Sequence, residues 1–219
     1  MVGVKSFQRI LVDKGFDLGK FGPNKDGIDG DLGTMTRTAG TKWLKLELDK
    51  RGHKWLEKQF ISIRIKNVFT DKFTDLAIIV EDSEVVSVCR STTKPGKYWI
   101  NNPLTVGGIT GTGIQKEGQW INSHRFVAKG KRKWGNAGYF EQIATIEVYR
   151  DGNRDSKLDK DVVQKAPTWY GFFIHPMGGG FTIWNWSAGC VGTPLKEWNQ
   201  SIRPFFSNGE VITHTIIEI

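Results

Sequence analysis

The stretch FISIRIK, residues 60–66, alternates strictly, with Ile61, Ile63 and Ile65 on one side and Ser62 and Arg64 on the other. A two-residue period belongs to an extended chain, whose successive side chains point to opposite faces. Downstream, DLAIIVEDSEVVSV (75–88) gives two apolar runs broken at Asp82 and Ser83, which reads as a hairpin. ATIEVYRD (144–151), YGFFIHP (170–176), FTIWNW (181–186) and VITHTIIEI (211–219) read as further strands between Gly- and Asn-rich turns. Past Gly52 the chain is therefore expected to be mostly β, a sandwich or partly closed barrel rather than a parallel α/β sheet.

Upstream of Gly52 the period is helical. VKSFQRILVDK (4–14) sets Phe7, Ile10, Leu11 and Lys14 at helical spacing, with Gly15 as a stop. TMTRTAGTKWLKLELDKRG (34–52) carries an apolar stripe of Met35, Ala39, Trp43 and Leu46, and Thr34 is placed to cap it. The turn-rich segment between them holds Asp29-Gly30 for a turn and Gly33, which permits a positive φ or close packing. Its Asp26, Asp29 and Asp31 lack the spacing and the terminal bidentate Glu of a calcium loop.

The pattern Asp29-Gly30-x-x-Gly33-x-x-Thr36-x-x-Ala39-x-x-x-Trp43, preceded by Val4-Lys5-x-Phe7-Gln8-x-x-Leu11-x-x-x-Gly15, resembles the peptidoglycan-binding domain, a small three-helix bundle. The resemblance implies an all-α wall-binding module at 1–52, with Asp29, Gly30, Gly33, Thr36 and Trp43 as its signature. A linker (53–59) would join it to a β domain at 60–219.

The candidate chemistry lies in FFIHPMGGGFTIWNWSAGCVGTP (172–194), where a lone histidine, His175, precedes a Ser-Ala-Gly-Cys turn. A thiol becomes a useful nucleophile when a neighbouring base raises its thiolate fraction, and histidine is the usual supplier. Gly189 lets the backbone turn sharply, so that N–H groups near Cys190 can point at a developing oxyanion. From the residues alone, a buried structural thiol stands beside this reading.

His175 followed by Ser187-x-Gly189-Cys190-Val191 resembles the active-site signature of the L,D-transpeptidase family. DLAIIVEDSEVVSVCRSTTKPGKYWI resembles that family's opening hairpin and its Ser/Thr-x-x-Lys/Pro-Gly turn, here Ser91, Thr92, Lys94, Pro95 and Gly96. The likeness covers residues 73–219 and implies an L,D-transpeptidase-like sandwich with Cys190 as nucleophile and His175 as base. Ser187, Gly189 and the Cys190 amide would shape the turn and the oxyanion site. It further implies attack on the L,D bond between a diamino acid and D-alanine in a peptidoglycan stem peptide, and transfer of the acyl group to an amine or to water. Two positions depart from it: Ala188 stands where many members carry His, and Gly192 where Arg or Asn often follows. The Trp-Ser-Ala-Gly-Cys variant resembles a divergent subset associated with phage genomes. His124 is a candidate to replace a missing polar contact, against its being an exposed loop residue.

Trp184, Trp186 and Trp169 are candidates to stack on glycan or stem peptide, against a core role. Asp151-x-Asn153-x-Asp155-x-x-x-Asp159 alternates oxygen ligands, but Ser156 replaces the sharp-turn glycine and Val162 the terminal acid, so a solvated acidic hairpin is expected. Met177-Gly178-Gly179-Gly180 reads as a flexible turn rather than a phosphate cradle, because no Lys-Ser/Thr follows. Cys89 reads as a packed strand residue, and a disulfide with Cys190 only as an inactive form.

With 219 residues, 38% of them hydrophobic, and nine tryptophans, the chain is long enough and apolar enough to bury a core. Two distant cysteines give no disulfide framework. The opening MVGVKSFQRILVDKG has no apolar core or cleavage site of a signal peptide, and no stretch is long enough to span a bilayer. The formal charge of +8 predicts attraction to a polyanion. The compact basic run Lys129, Lys131, Arg132 and Lys133 comes with no zinc-finger, RNP or basic-zipper pattern, so nucleic acid is not expected as partner.

Together these features predict a monomeric peptidoglycan-active cysteine enzyme without cofactor, metal or stable membrane insertion. Synthesis in a host cytoplasm and holin-dependent release to the periplasm would make it a phage lysin. The alternative is a non-catalytic peptidoglycan-binding protein with a structural Cys190.

Overall fold

The structure, a computed structural model, describes residues 2–66, 71–130, 135–151, 153, 162–178 and 182–219. Lys131, Arg132 and Lys133 of the basic run, Asp155, Ser156 and Asp159 of the acidic stretch, and Gly179 and Gly180 of the glycine turn lie outside the described residues.

Two helices, α1 (Val2–Asp13) and α2 (Thr34–Asp49), precede β1 (Gln59–Arg64) and the hairpin β2 (Asp75–Glu81) and β3 (Glu84–Ser91). A short α3 (Lys97–Asn101) leads into β4 (Thr105–Val106), β5 (Ile109–Thr110), β6 (Thr112–Gln115) and the long β7 (Gly118–Val127). Then come β8 (Tyr139–Gln142), β9 (Ile146–Asp151), β10 (Val163–Ala166), β11 (Ile174–Met177), β12 (Val191–Pro194), α4 (Leu195–Ser201) and β13 (Val211–Glu218). Eight strands form one mixed sheet in the order β12-β11-β8-β7-β13-β1-β2-β3. Its two edges meet where Thr92 and Gly192 exchange backbone hydrogen bonds of 2.8 and 2.9 Å, so the sheet nearly closes on itself. A second sheet, β10-β9-β6, flanks it.

β1 and β2 are buried on both faces, and each face makes its own core. Phe60, Ala77, Ile79 and Cys89 point inward to Phe126, Phe140, Ile174, Val191 and Trp198. Ile61, Ile63, Leu76, Ile78 and Val80 point outward, and α1 and α2 cover them with Val4, Phe7, Leu11, Trp43, Leu44 and Leu48. The expected three-helix bundle is therefore absent among the described residues. Two helices lie on the sheet and share its core, because the outward isoleucines that betray β1 would otherwise face water. The approach is close: a Cβ at Gly3 would lie 2.7 Å from the backbone of Cys89 and Arg90, and one at Gly40 would lie 2.6 Å from the Phe7 ring. The expected sandwich is likewise corrected: the core lies inside one nearly closed eight-stranded sheet, beside which sit the three-stranded β10-β9-β6 and the two-stranded β4-β5 sheets.

The signature residues of the N-terminal segment serve this packing. Gln8, buried on α1, donates from Nε2 to Asp29 Oδ1 (2.7 Å), Asp31 O (3.0 Å) and Thr36 Oγ1 (3.2 Å), and its Oε1 accepts from the Gly30 N–H (2.8 Å). The Gln8 amide, followed by the Asp31 N–H, holds the Asp29 carboxyl below its ordinary pKa. Trp43 packs 6.0 Å from Phe7. Gly33, not Thr34, is the N-cap of α2, with φ −71° and no side-chain cap. A Cβ at Gly33 would come no nearer than 3.8 Å to any neighbour, so neither expected reason for that glycine holds.

FTIWNW is not a strand: its described residues make one isolated bridge, Thr182 to Lys72, and then a turn in which Trp184 takes φ +44°. No helix among the described residues is long and apolar enough to cross a membrane.

Candidate active site

β11 and β12 run parallel, with Ile174 opposite Val191 and His175 opposite Gly192. Ile174 and Val191 enter the inner core. Alternation turns His175 to the other face. Cys190 immediately precedes β12, two residues before the position opposite His175, an offset of about 6–7 Å along the strand. The Val191 N–H donates to Phe173 O at 3.0 Å, and the Phe173 N–H points at Cys190 Sγ at 3.4 Å. The thiol itself lies 3.6 Å from Gly171 O. His175 is fully buried, with Nδ1 2.8 Å from Pro176 O.

The Ser-Ala-Gly-Cys turn is fixed from inside. Ser187, fully buried, donates from Oγ to Cys190 O (2.8 Å) and accepts from the Gly189 N–H (3.1 Å). Gly189 has φ +128°, and a Cβ there would lie 2.1 Å from Gly113 O, so only glycine fits. Its N–H is taken by Ser187 and is not aimed at a substrate. From below, the Gly96 N–H donates to Ser187 O at 2.9 Å, and a Cβ at Gly96 would lie 1.7 Å from Trp184 O. The upstream turn is anchored in turn by Lys94, whose Nζ pairs with buried Asp75 at 2.9 Å. The two sequence motifs thus dock on each other.

Cys190, half-buried, opens with Ala188 on a cleft walled by Phe172, Tyr170, Gly113 and Arg150. Trp169, 71% exposed, stands edge-on to Tyr170 with ring centroids 4.2 Å apart, at the rim. Trp184 is exposed beside Tyr98 at 6.0 Å. Trp186 packs instead with Phe73, Met177 and Ile183 and walls a separate cleft with Pro176 and Leu195. Among the described residues no group of His, Cys, Asp and Glu is placed to hold a metal ion.

His124 is neither an exposed loop residue nor on the cleft. It is fully buried on β7, with Ser123 Oγ 2.8 Å from Nδ1 and Phe172 O 3.0 Å from Nε2. It thereby holds the carbonyl of the residue next to the Phe173 amide that faces Cys190. Its ring lies 5.4 Å from that of His214, which the sequence reading missed and whose Nε2 lies 2.9 Å from Ser62 Oγ. Burial pushes His124 down to about 4 and His214 well below its ordinary value, so both are neutral. Burial pushes the Cys89 thiol far up, which keeps it protonated in the inner core.

Arg150 and Tyr170 were also missed. The signal was present for Arg150: in ATIEVYRD it falls in phase with Ile146 and Val148, the buried face of β9.

No protein-family model matches the chain, and no curated protein does. Among solved structures, the L,D-transpeptidase (residues 123–326) of Xylanimonas cellulosilytica DSM 15894 aligns over 98% of this chain and 92% of that one, at 14% identity and a TM-score of 0.35. At that TM-score the backbones superpose too loosely for the neighbour's chemistry to be carried to this chain.

Proposed function

We propose that the protein is a cysteine enzyme acting on peptidoglycan stem peptides, with Cys190 as nucleophile and His175 as base. The observation that carries this reading is the parallel β11–β12 pair, which sets the Cys190 turn, locked by Ser187 and Gly189, beside the strand of His175. A hydrogen bond from His175 Nδ1–H to Pro176 O leaves the lone pair on Nε2, the nitrogen that takes the thiol proton. The Phe173 N–H is placed to donate to Sγ once the thiol has given up its proton, which until then faces Gly171 O. The thiolate then adds to the substrate carbonyl carbon, and the tetrahedral intermediate collapses as the leaving amine takes the proton from His175. The acyl-enzyme passes to water or to an amine. Trp169 and Trp184 offer stacking surfaces to the polymer.

The net charge of +8 supports action at an anionic envelope. A lysin made in a host cytoplasm and released by a holin is the setting we propose. Mass spectrometry of muropeptides from purified sacculi tests the reading. Loss of terminal D-alanine, opened cross-links or exchanged stems with wild type and not with Cys190→Ala is expected. Unchanged muropeptides with intact sacculus binding would instead make this a non-catalytic wall-binding protein with a structural Cys190.

A further inference from the structure

The Cys190 cleft contains a cation that the reaction above does not use. Arg150 is only 3% exposed. Its Nε donates to Gln164 Oε1 at 2.7 Å and its Nη1 to Gly111 O at 3.2 Å, while the Tyr170 ring lies 5.7 Å from the guanidinium carbon. Gln164 is held in turn by its own Nε2, which donates to the Tyr170 hydroxyl at 3.0 Å. These neighbours are all neutral. Nη2 is buried with no hydrogen-bond partner, and no carboxylate among the described residues forms an ion pair with this side chain. A buried guanidinium so placed is costly unless an anion completes it.

The guanidinium lines the same cleft as Cys190. Gly113 lies opposite Arg150 in the β6–β9 ladder, and a Cβ there would come 3.1 Å from Nη1 and 2.5 Å from the Phe172 ring. Glycine there lets the Phe172 ring and the guanidinium pack together in the cleft wall, where any side chain would displace one or both. The cleft encloses about 80 Å³, far below the roughly 300–1,000 Å³ of a drug-sized site, so it takes one small residue.

We infer that Arg150 is the anion-recognition residue of this cleft. Its Nη2 receives the free C-terminal carboxylate of the acyl-donor peptide, and so selects a small terminal residue, one bond beyond the carbonyl that Cys190 attacks. The inference rests on the reading of Cys190 as nucleophile.

The test uses the full chain and two synthetic stem tetrapeptides that differ only in a C-terminal carboxylate or primary amide. Wild type is expected to favour the carboxylate by about tenfold or more in kcat/KM, mostly through KM. Arg150→Gln is expected to bring that ratio near one, and Arg150→Lys to keep part of it. Indifference of wild type to amidation overturns the inference, whatever the folding of the variants. Calorimetric binding in a Cys190→Ala background separates the two claims. Carboxylate-dependent binding that Arg150→Gln abolishes, without turnover by wild type, keeps Arg150 and removes the enzyme. Turnover indifferent to the carboxylate removes Arg150 and keeps the enzyme, and neither binding nor turnover overturns both.

Discussion

At the scale of single residues, the two thiols are opposites. Cys89 sits in the inner core at 1% exposure, with its thiolate suppressed, while Cys190 opens on the cleft. Iodoacetamide under native conditions is expected to label Cys190 and spare Cys89, and His175→Gln to slow that labelling several-fold; peptide mapping reads both, and equal labelling of the two thiols contradicts the account. Ser187→Ala removes the acceptor of the Gly189 N–H and the donor to Cys190 O, and is expected to cost about 1–3 kcal/mol in denaturant unfolding with a larger loss of activity. The Ser187–Cys190 turn was legible in the sequence because a Ser-x-Gly-Cys pattern is local. The burial of Arg150 was legible in the phase of β9, but the absence of a counter-charge around it among the described residues depends on residues distant in sequence. His124 misled because nothing local distinguishes a buried histidine bonded to Phe172 O from an exposed one.

At the scale of elements, periodicity revealed β1, β9, β11 and β13 and the β2–β3 hairpin as a pair, but not how these pieces lie beside one another in the sheets. A strand's alternation says which side chains share a face, not which strand lies beside it. The parallel pairing of β11 and β12, across a connection whose described residues form no strand, could not be read from either segment. The Ser91–Gly96 turn was legible as a motif, yet its anchor was not. Lys94 Nζ donates to Asp75 Oδ1 and to Ile65 O, and Asp75 Oδ2 accepts from the Thr93 N–H and Oγ1–H, all at 2.8–2.9 Å. Asp75→Asn leaves Lys94 buried without its counter-charge, and a loss of about 3–5 kcal/mol is expected from chemical unfolding. A loss below 1 kcal/mol would mean that the pair does not hold the turn.

At the scale of the whole molecule, the helices and the sheet stand together. Removing residues 1–52 would expose Ile61, Ile63, Leu76, Ile78 and Val80, so the remaining chain is expected to aggregate rather than fold, as light scattering and circular dichroism would show. The fold should also fail in acid. His124 and His214 are neutral when folded but titrate near 6.5 when unfolded. The unfolded chain thus binds more protons below that pH, and stability falls as pH drops from about 6.5 towards 4. His124 alone accounts for about 3 kcal/mol of the loss. His124→Gln, which keeps a donor for Phe172 O, is expected to flatten the dependence of Tm on pH; an unchanged slope would move the acid sensitivity elsewhere. The central claim, that Cys190 carries the acyl group, is tested most directly by rapid acid quench of the protein with a stem tetrapeptide, followed by peptide mapping by mass spectrometry. A peptidyl adduct on Cys190, absent from Cys190→Ala and reduced in His175→Gln, is the predicted result. Turnover without an adduct on that residue, or turnover by Cys190→Ala, would contradict it.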